Sequence, residues 1–229
     1  MNRLRLSPSI LTADFGRLGD EVRSVSEYVD WFHLDVMDGH YVDNITFGTS
    51  TVEAVNAAVD QPLHVHLMIE DPAKYIETFV KAGADRISFH PEVTKDPAEV
   101  IEAVTSLGAG VGLAVHPDVG LDAIEPYVGS LDVVLMMTVR PGFGGQAFMA
   151  EVVPEIKRAK ELIIAGGHSA EIEVDGGLKL ATIDSAVEAG GEILVAGSAI
   201  FDGVDAPAAA ARLRERLNEL EVTLGGETT

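Results

Sequence analysis

Eight short β-branched or apolar runs, separated by stretches of amphipathic character, constrain this chain more than any other feature. The runs lie near residues 4–9, 31–36, 63–67, 85–89, 111–115, 132–138, 171–174 and 193–196. Later runs follow small-residue stops such as Ala82-Gly83-Ala84 or Ala189-Gly190-Gly191. Between them, apolar positions recur at three and four residues, most clearly over 152–164, 181–189 and 206–220, which predicts helices. Eight alternating βα units predict a closed parallel barrel, the α/β class (β/α)8 or TIM barrel. A doubly wound open sheet would place its main phosphate signal after the first strand, whereas here the glycine-rich turns come late. No linker-like tract divides the 229 residues, so residues 1–229 are expected to form a single domain. The tail over 222–229, ending Gly225-Gly226-Glu227-Thr228-Thr229, is expected to fray.

Sixteen Lys and Arg against 37 Asp and Glu give a net charge of −21, which repels nucleic acid and anionic lipid alike. Any phosphorylated small substrate would then need local positive potential from backbone N–H groups or a metal. The absence of cysteine excludes thiolate chemistry and disulfides. The opening residues lack the apolar run of a signal peptide, and no stretch of about 18 apolar residues occurs, so the expected location is the cytoplasm, away from membranes.

Barrels of this class carry their chemistry at the carboxyl ends of the strands. Ser9 closes the first run, His33 and Asp35 lie in the second, His64 and His66 in the third, and Asp175 closes the seventh; His90 and His116 end the fourth and fifth. Period-two alternation points His33 with Asp35, and His64 with His66, to common faces. Histidines and carboxylates that converge suit a divalent metal, but a hydrogen-bonded His33–Asp35 pair or a structural histidine fits the same spacing. Arg140-Pro141-Gly142-Phe143-Gly144-Gly145-Gln146, Asp175-Gly176-Gly177 and Gly197-Ser198 follow the last three runs. One such glycine pair is an ordinary turn, whereas three successive ones predict a phosphate site, with a short helix starting at the last pair. Met37, Met68 and Met137 sit at strand ends, either as core filling or as an apolar cap over reacting carbons.

These residues resemble the ribulose-phosphate 3-epimerase family along nearly the whole chain. The segments that carry the resemblance are Ser7-Pro8-Ser9-Ile10-Leu11, Ala13-Asp14-Phe15, His33-Leu34-Asp35-Val36-Met37-Asp38-Gly39-His40 and Asn44-Ile45-Thr46-Phe47-Gly48. They continue in His66-Leu67-Met68, Pro141-Gly142-Phe143-Gly144-Gly145-Gln146, Val174-Asp175-Gly176-Gly177 and Val195-Ala196-Gly197-Ser198. The resemblance implies a barrel of the ribulose-phosphate-binding type with His33, Asp35, His66 and Asp175 as ligands of one divalent metal ion (zinc, iron, manganese or cobalt). It also implies Asp35 and Asp175 as catalytic acid and base. Substrate contacts fall by the same resemblance to Ser9, His66, Gly142, Phe143, Gly144, Gly145, Gly176, Gly177, Gly197 and Ser198. The implied reaction is epimerisation at C3 of a ketose phosphate, D-ribulose 5-phosphate to D-xylulose 5-phosphate, through a cis-enediolate, a step of the pentose phosphate pathway. Barrels of this kind often self-associate, so a homo-oligomer is the expectation.

Several positions depart from the family pattern. Arg140 stands where asparagine is common, Val115-His116-Pro117 replaces Leu-Asn-Pro, and Asp43 replaces a frequent proline. His90-Pro91-Glu92 resembles the sister enzyme acting on D-allulose 6-phosphate as much as the pentose enzyme, so D-allulose 6-phosphate stands as the alternative substrate. Arg140 either faces the phosphate or forms part of the surface. A Schiff-base aldolase would need a strand lysine, but Lys74, Lys81, Lys95, Lys157, Lys160 and Lys179 fall in helices or loops. A non-catalytic phosphate-binding barrel is the remote alternative, disfavoured by the intact carboxylates and histidines.

Overall fold

A computed structural model describes residues 3–201 and 203–226. The eight expected strands are present: β1 (Arg5–Pro8), β2 (Phe32–Met37), β3 (Leu63–Met68), β4 (Arg86–Phe89), β5 (Gly110–Val115), β6 (Val133–Met137), β7 (Glu171–Asp175) and β8 (Ile193–Ala196). All ladders are parallel, in the order β1-β8-β7-β6-β5-β4-β3-β2. An isolated parallel bridge between Ser9 and His33 joins β1 to β2 and completes the barrel.

Seven α-helices cover the barrel: α1 (Leu18–Val25), α2 (Thr49–Asn56), α3 (Ile76–Lys81), α4 (Pro97–Ser106), α5 (Val153–Ala165), α6 (Ile183–Glu188) and α7 (Ala206–Gly226). The expected eighth is missing among the described residues. Between β5 and β6 the chain makes two 3-10 turns, Leu121–Ala123 and Glu125–Ser130, after Gly120 at φ 81°. Pro126 and Gly129 inside that stretch disfavour a regular α-helix.

Local chemistry explains the helices that do form. Asp96 accepts hydrogen bonds from the N–H groups of Ala98 and Glu99, capping α4 ahead of Pro97. In α7, Ala210, Leu213, Leu217 and Leu220 are buried at spacings of three and four. Arg214 on the same helix reaches the carbonyls of Leu4 and Tyr28 and the carboxylate of Asp30, tying the last helix to β1. The tail expected to fray from residue 222 instead continues as helix through Gly226, because Leu224 still packs on the core. Residues 227–229 lie outside the described residues.

Strand alternation sorts the side chains into two sets. Phe32, Leu34 and Val36 of β2, Leu63, Val65 and Leu67 of β3, and Ile172 and Val174 of β7 belong to the large apolar core shared with the helices. The alternate residues enter the barrel, and many are polar and buried: His33 and Asp35, His64 and His66, Arg86 and Ser88, and Glu173. Barrel interiors of this class are usually filled by branched aliphatic residues. This polar lining is the feature that positions the site.

Candidate active site

At the carboxyl ends of the strands, one oxygen or nitrogen from each of His33, Asp35, His66 and Asp175 falls in a group whose members all lie within 4.8 Å of one another. The parallel register accounts for much of this. Asp35 pairs with His66 across β2 and β3, and His33 with His64 one pleat below. Asp175 comes from β7, with β1 and β8 intervening between it and β2 in the ring.

Asp35 is held from both sides: Ser9 Oγ donates to its Oδ2 at 2.5 Å, and His66 Nδ1 lies 3.0 Å from its Oδ1. His33 Nε2 is 3.3 Å from Asp35 Oδ1 and 3.8 Å from Asp175 Oδ2. That nitrogen is buried without a hydrogen-bond partner. The opposite nitrogen, Nδ1, is 2.9 Å from Glu173 Oε1.

These surroundings bias the two carboxyls in opposite directions. Burial by itself would raise Asp35, but the positive charge of His33 and the hydrogen bond from His66 outweigh it and hold Asp35 well below the usual carboxylate range. Burial pushes Asp175 up to about 8, and the negative charge of Asp35 adds to the rise. Burial opposes a proton on His33, yet Asp35, Glu173 and Asp175 together raise it well above its ordinary value. The cage thus attracts positive charge, and the unpartnered His33 Nε2 faces where that charge would sit. Two imidazoles and two carboxylates suit a divalent transition ion, so the residues present fit a metal ligand set.

Above the cage opens a cleft. Ser9, Met37, Met68, Met137, residues 142–145, Asp175, Gly176, Gly177, Gly197 and Ser198 line it. His33 and His66 lie beneath, fully buried. The three methionines are buried too, Met37 and Met68 clustered with Val42, and Met137 with Ala114, Leu135 and Val139. Phe143 stands exposed at the rim.

The glycine loops are shaped by their backbone. Gly176 (φ 127°) and Gly177 (φ 66°) adopt conformations that a side chain strains, and a Cβ on Gly177 would fall 2.4 Å from the Phe148 nitrogen. Thr138 Oγ1 donates to the carbonyl of Gly176, Asn44 Nδ2 to that of Gly142, and Gln146 Nε2 to those of Arg140 and Phe143. The segment after β8 differs from the short helix expected: Gly197 accepts from Ile200 and Phe201 in a single turn. It is too short to build up more than a fraction of a helix dipole.

Arg140, whose direction the sequence left open, turns to the surface and makes a bidentate pair with Asp118 at 2.9 Å. No lysine lines the cleft. Nearby, His64 spans Glu173 and Ser88 at 2.7 Å each. His90 Nε2 meets His66 Nε2 at 3.0 Å, and His116 accepts from the N–H of Asp118. Sequence reasoning missed Glu173, Thr138, Asn44 and Thr46, whose Oγ1 donates to the Asp35 carbonyl. For Glu173 a signal existed, since it precedes Asp175 by two residues and so shares its inward face.

Fold and site together define a (β/α)8-barrel enzyme with a buried two-histidine, two-carboxylate centre beneath glycine-rich loops. Residues 5–201 match the family model described as the ribulose-phosphate 3 epimerase family. The ribulose-phosphate 3-epimerase of Bacillus subtilis is 44% identical over 213 residues, covering 92% of this chain and 98% of that protein. That of Mycobacterium leprae is 42% identical over 211 residues, covering 92% and 94%. Among solved structures, a 3-hexulose-6-phosphate synthase superposes with a TM-score of 0.70 at 22% identity, covering 93% of this chain and 99% of that one. Orotidine 5'-phosphate decarboxylase from Pyrococcus horikoshii gives 0.67 at 15%, covering 93% and 99%; both likenesses concern the fold alone. The chain belongs to the ribulose-phosphate 3-epimerase family and is an isomerase of the epimerase type.

Proposed function

We propose that this protein interconverts D-ribulose 5-phosphate and D-xylulose 5-phosphate by moving the C3 proton between Asp35 and Asp175. The observation that carries the reading is the convergence of two carboxyls, Asp35 from β2 and Asp175 from β7, on one cage, the arrangement that two-sided proton transfer requires. Asp35, ionised, takes the proton from C3; Asp175, protonated, returns one to the opposite face, and the reverse reaction exchanges the roles. An enediolate on the substrate links the two half-reactions.

His33, Asp35, His66 and Asp175 would hold one divalent cation, of zinc, iron, manganese or cobalt. When bound, it supplies a Lewis acid that lowers the cost of charge on the substrate oxygens. Ser9 and His66 orient Asp35, and Ser9, which lines the cleft, contacts the substrate. Backbone N–H groups of residues 142–145, 176–177 and 197–198 receive the phosphate, because Arg140, beside the cleft, turns its guanidinium to the surface and onto Asp118. Met37, Met68 and Met137 exclude water from the reacting carbons. The family membership, the polar cage and the adjoining glycine loops support each assignment.

The test is incubation of cation-loaded protein with D-ribulose 5-phosphate in D2O, followed by NMR, with D-allulose 6-phosphate in parallel. Xylulose 5-phosphate bearing deuterium at C3 is the expected product. Faster turnover of the hexose phosphate would move the protein to the sister specificity with the same two carboxylates, and no exchange with either would overturn the reading.

A further inference from the structure

Glu173 lies in β7 inside the barrel, fully buried, directly under the cage. Its Oε1 is 2.9 Å from His33 Nδ1 and its Oε2 is 2.7 Å from His64 Nδ1. The guanidinium of Arg86, also buried and stacked over Trp31, lies 3.9 Å from Oε2 and supplies countercharge to the carboxylate. A carboxylate only accepts hydrogen bonds, so the Nδ1 atoms of both histidines must carry hydrogen. In its neutral form each ring then keeps its lone pair on Nε2, and at His33 a bound cation would take the place of the second proton that the surrounding carboxylates favour.

The two lone pairs meet different fates. His64 Nε2 is 2.7 Å from Ser88 Oγ, whose hydroxyl donates to it, and the demands of that ring are met. His33 Nε2 has no hydrogen-bond partner, is buried, and faces Asp35 and Asp175. We propose that Glu173 is a positioning residue, fixing His33 as the Nδ1–H tautomer and aiming Nε2 into the cage as a cation ligand. His64 completes the device by occupying the second oxygen, which prevents the carboxylate from rotating away from His33. Ligating histidines are commonly oriented through their other nitrogen in this way, and loss of such a partner costs about 10- to 100-fold in metal affinity. The inference rests on the cation site proposed above.

The test compares zinc affinity, by chelator competition, in wild-type protein, Glu173→Met and Glu173→Gln. Methionine keeps the bulk and removes both acceptors, so the zinc Kd should rise about 10- to 100-fold while the barrel's circular dichroism is kept. Glutamine can still accept from His33 through its oxygen while its amide donates to His64, whose Nε2–H then turns to Ser88 as acceptor. Its Kd should lie between the other two. A purely structural role would lower Tm in both variants at unchanged Kd, and that outcome would overturn the inference. Should Glu173→Met not fold, 15N NMR of zinc-loaded wild-type protein decides: hydrogen on His33 Nδ1 with zinc on Nε2 is expected, and the reverse assignment sinks the idea. Wild-type protein that binds no divalent cation would instead remove the cation site itself, and the inference with it.

Discussion

Asp35 and Asp175 meet at one cage from strands on different sides of the barrel, and their surroundings are unlike. Both oxygens of Asp35 are engaged, by Ser9 and His66, whereas the Asp175 carboxylate accepts no hydrogen bond from the described residues and approaches His33 and His66 only to 3.8 and 4.0 Å. Hydrogen bonds stabilise the charged form of the first, and burial without them favours the neutral form of the second. Asp35→Asn and Asp175→Asn, which keep shape and remove the exchangeable proton site, should each lower kcat by about 10²- to 10⁴-fold at matched cation content. Loss of C3 deuterium incorporation with an unchanged circular dichroism spectrum is the expected result, and near-normal turnover in either would remove that carboxylate from the reaction.

Ser9→Ala removes the 2.5 Å hydrogen bond to Asp35. A hydrogen bond to a charged group contributes about 1.5–3 kcal/mol, so kcat/KM should fall about 10- to 100-fold. With the charged form of Asp35 less favoured, the acidic limb of the pH–rate profile should move upward. A profile superimposable on that of wild-type protein would show that the serine does not govern Asp35.

Gly197→Asp places a carboxylate at the proposed phosphate position. Its Cβ would lie 3.2 Å from Thr12 Oγ1, a contact relieved by a small shift, so the variant should fold. Repulsion of about 1.4 kcal/mol or more would raise KM by about tenfold or more. Steady-state kinetics checks this, and an unchanged KM would place the phosphate elsewhere.

Dialysis against a chelator should abolish turnover, with recovery on adding zinc, manganese, cobalt or ferrous iron. Magnesium and calcium should restore little, because two of the four ligand residues are imidazoles. Full activity after exhaustive chelation would argue that the cage works without a cation.

Glu92 gives a pH-dependent stability contribution outside the cage. Burial alone would raise it, but His90 and the 2.7 Å hydrogen bond from Tyr41 bring it down from 4.5 to about 2. A lowered folded-state value means the contribution is complete above about 4.5 and is lost as pH falls towards 2. Glu92→Gln should therefore cost stability at neutral pH, and its urea midpoint should converge on that of wild-type protein between pH 4.5 and 2. Parallel midpoints across that window would show that the hydrogen bonds do not bias Glu92.

The local pattern was legible where a strand or helix is dictated by its own residues. Phe32–Met37 alternates core and barrel faces through its period of two, and α7 declares itself by apolar spacing, so strand number, order of elements and barrel class followed from the chain alone. The stretch after β5 escaped because its Gly and Pro break a helix whose place in the repeat suggested one. Helix α7 outran its expected end because Leu224 finds the core, a contact that no spacing announces.

The candidate site residues and their strand ends were likewise readable as candidates: His33, Asp35, His66 and Asp175 come together at the carboxyl ends of the strands. Barrel closure decided the rest. Parallel register set Asp35 beside His66, and the ring brought Glu173 of β7 against His33 and His64 from 140 and 109 residues away in sequence. Hydrogen-bond partners at such separations depend on strand stagger and ring closure, which the chain specifies only as a whole. For the same reason the charge state of each carboxyl, and the turn of Arg140 towards Asp118, belong to the tertiary structure: both follow from which groups burial brings within a few ångströms, and residue type alone does not contain that distance.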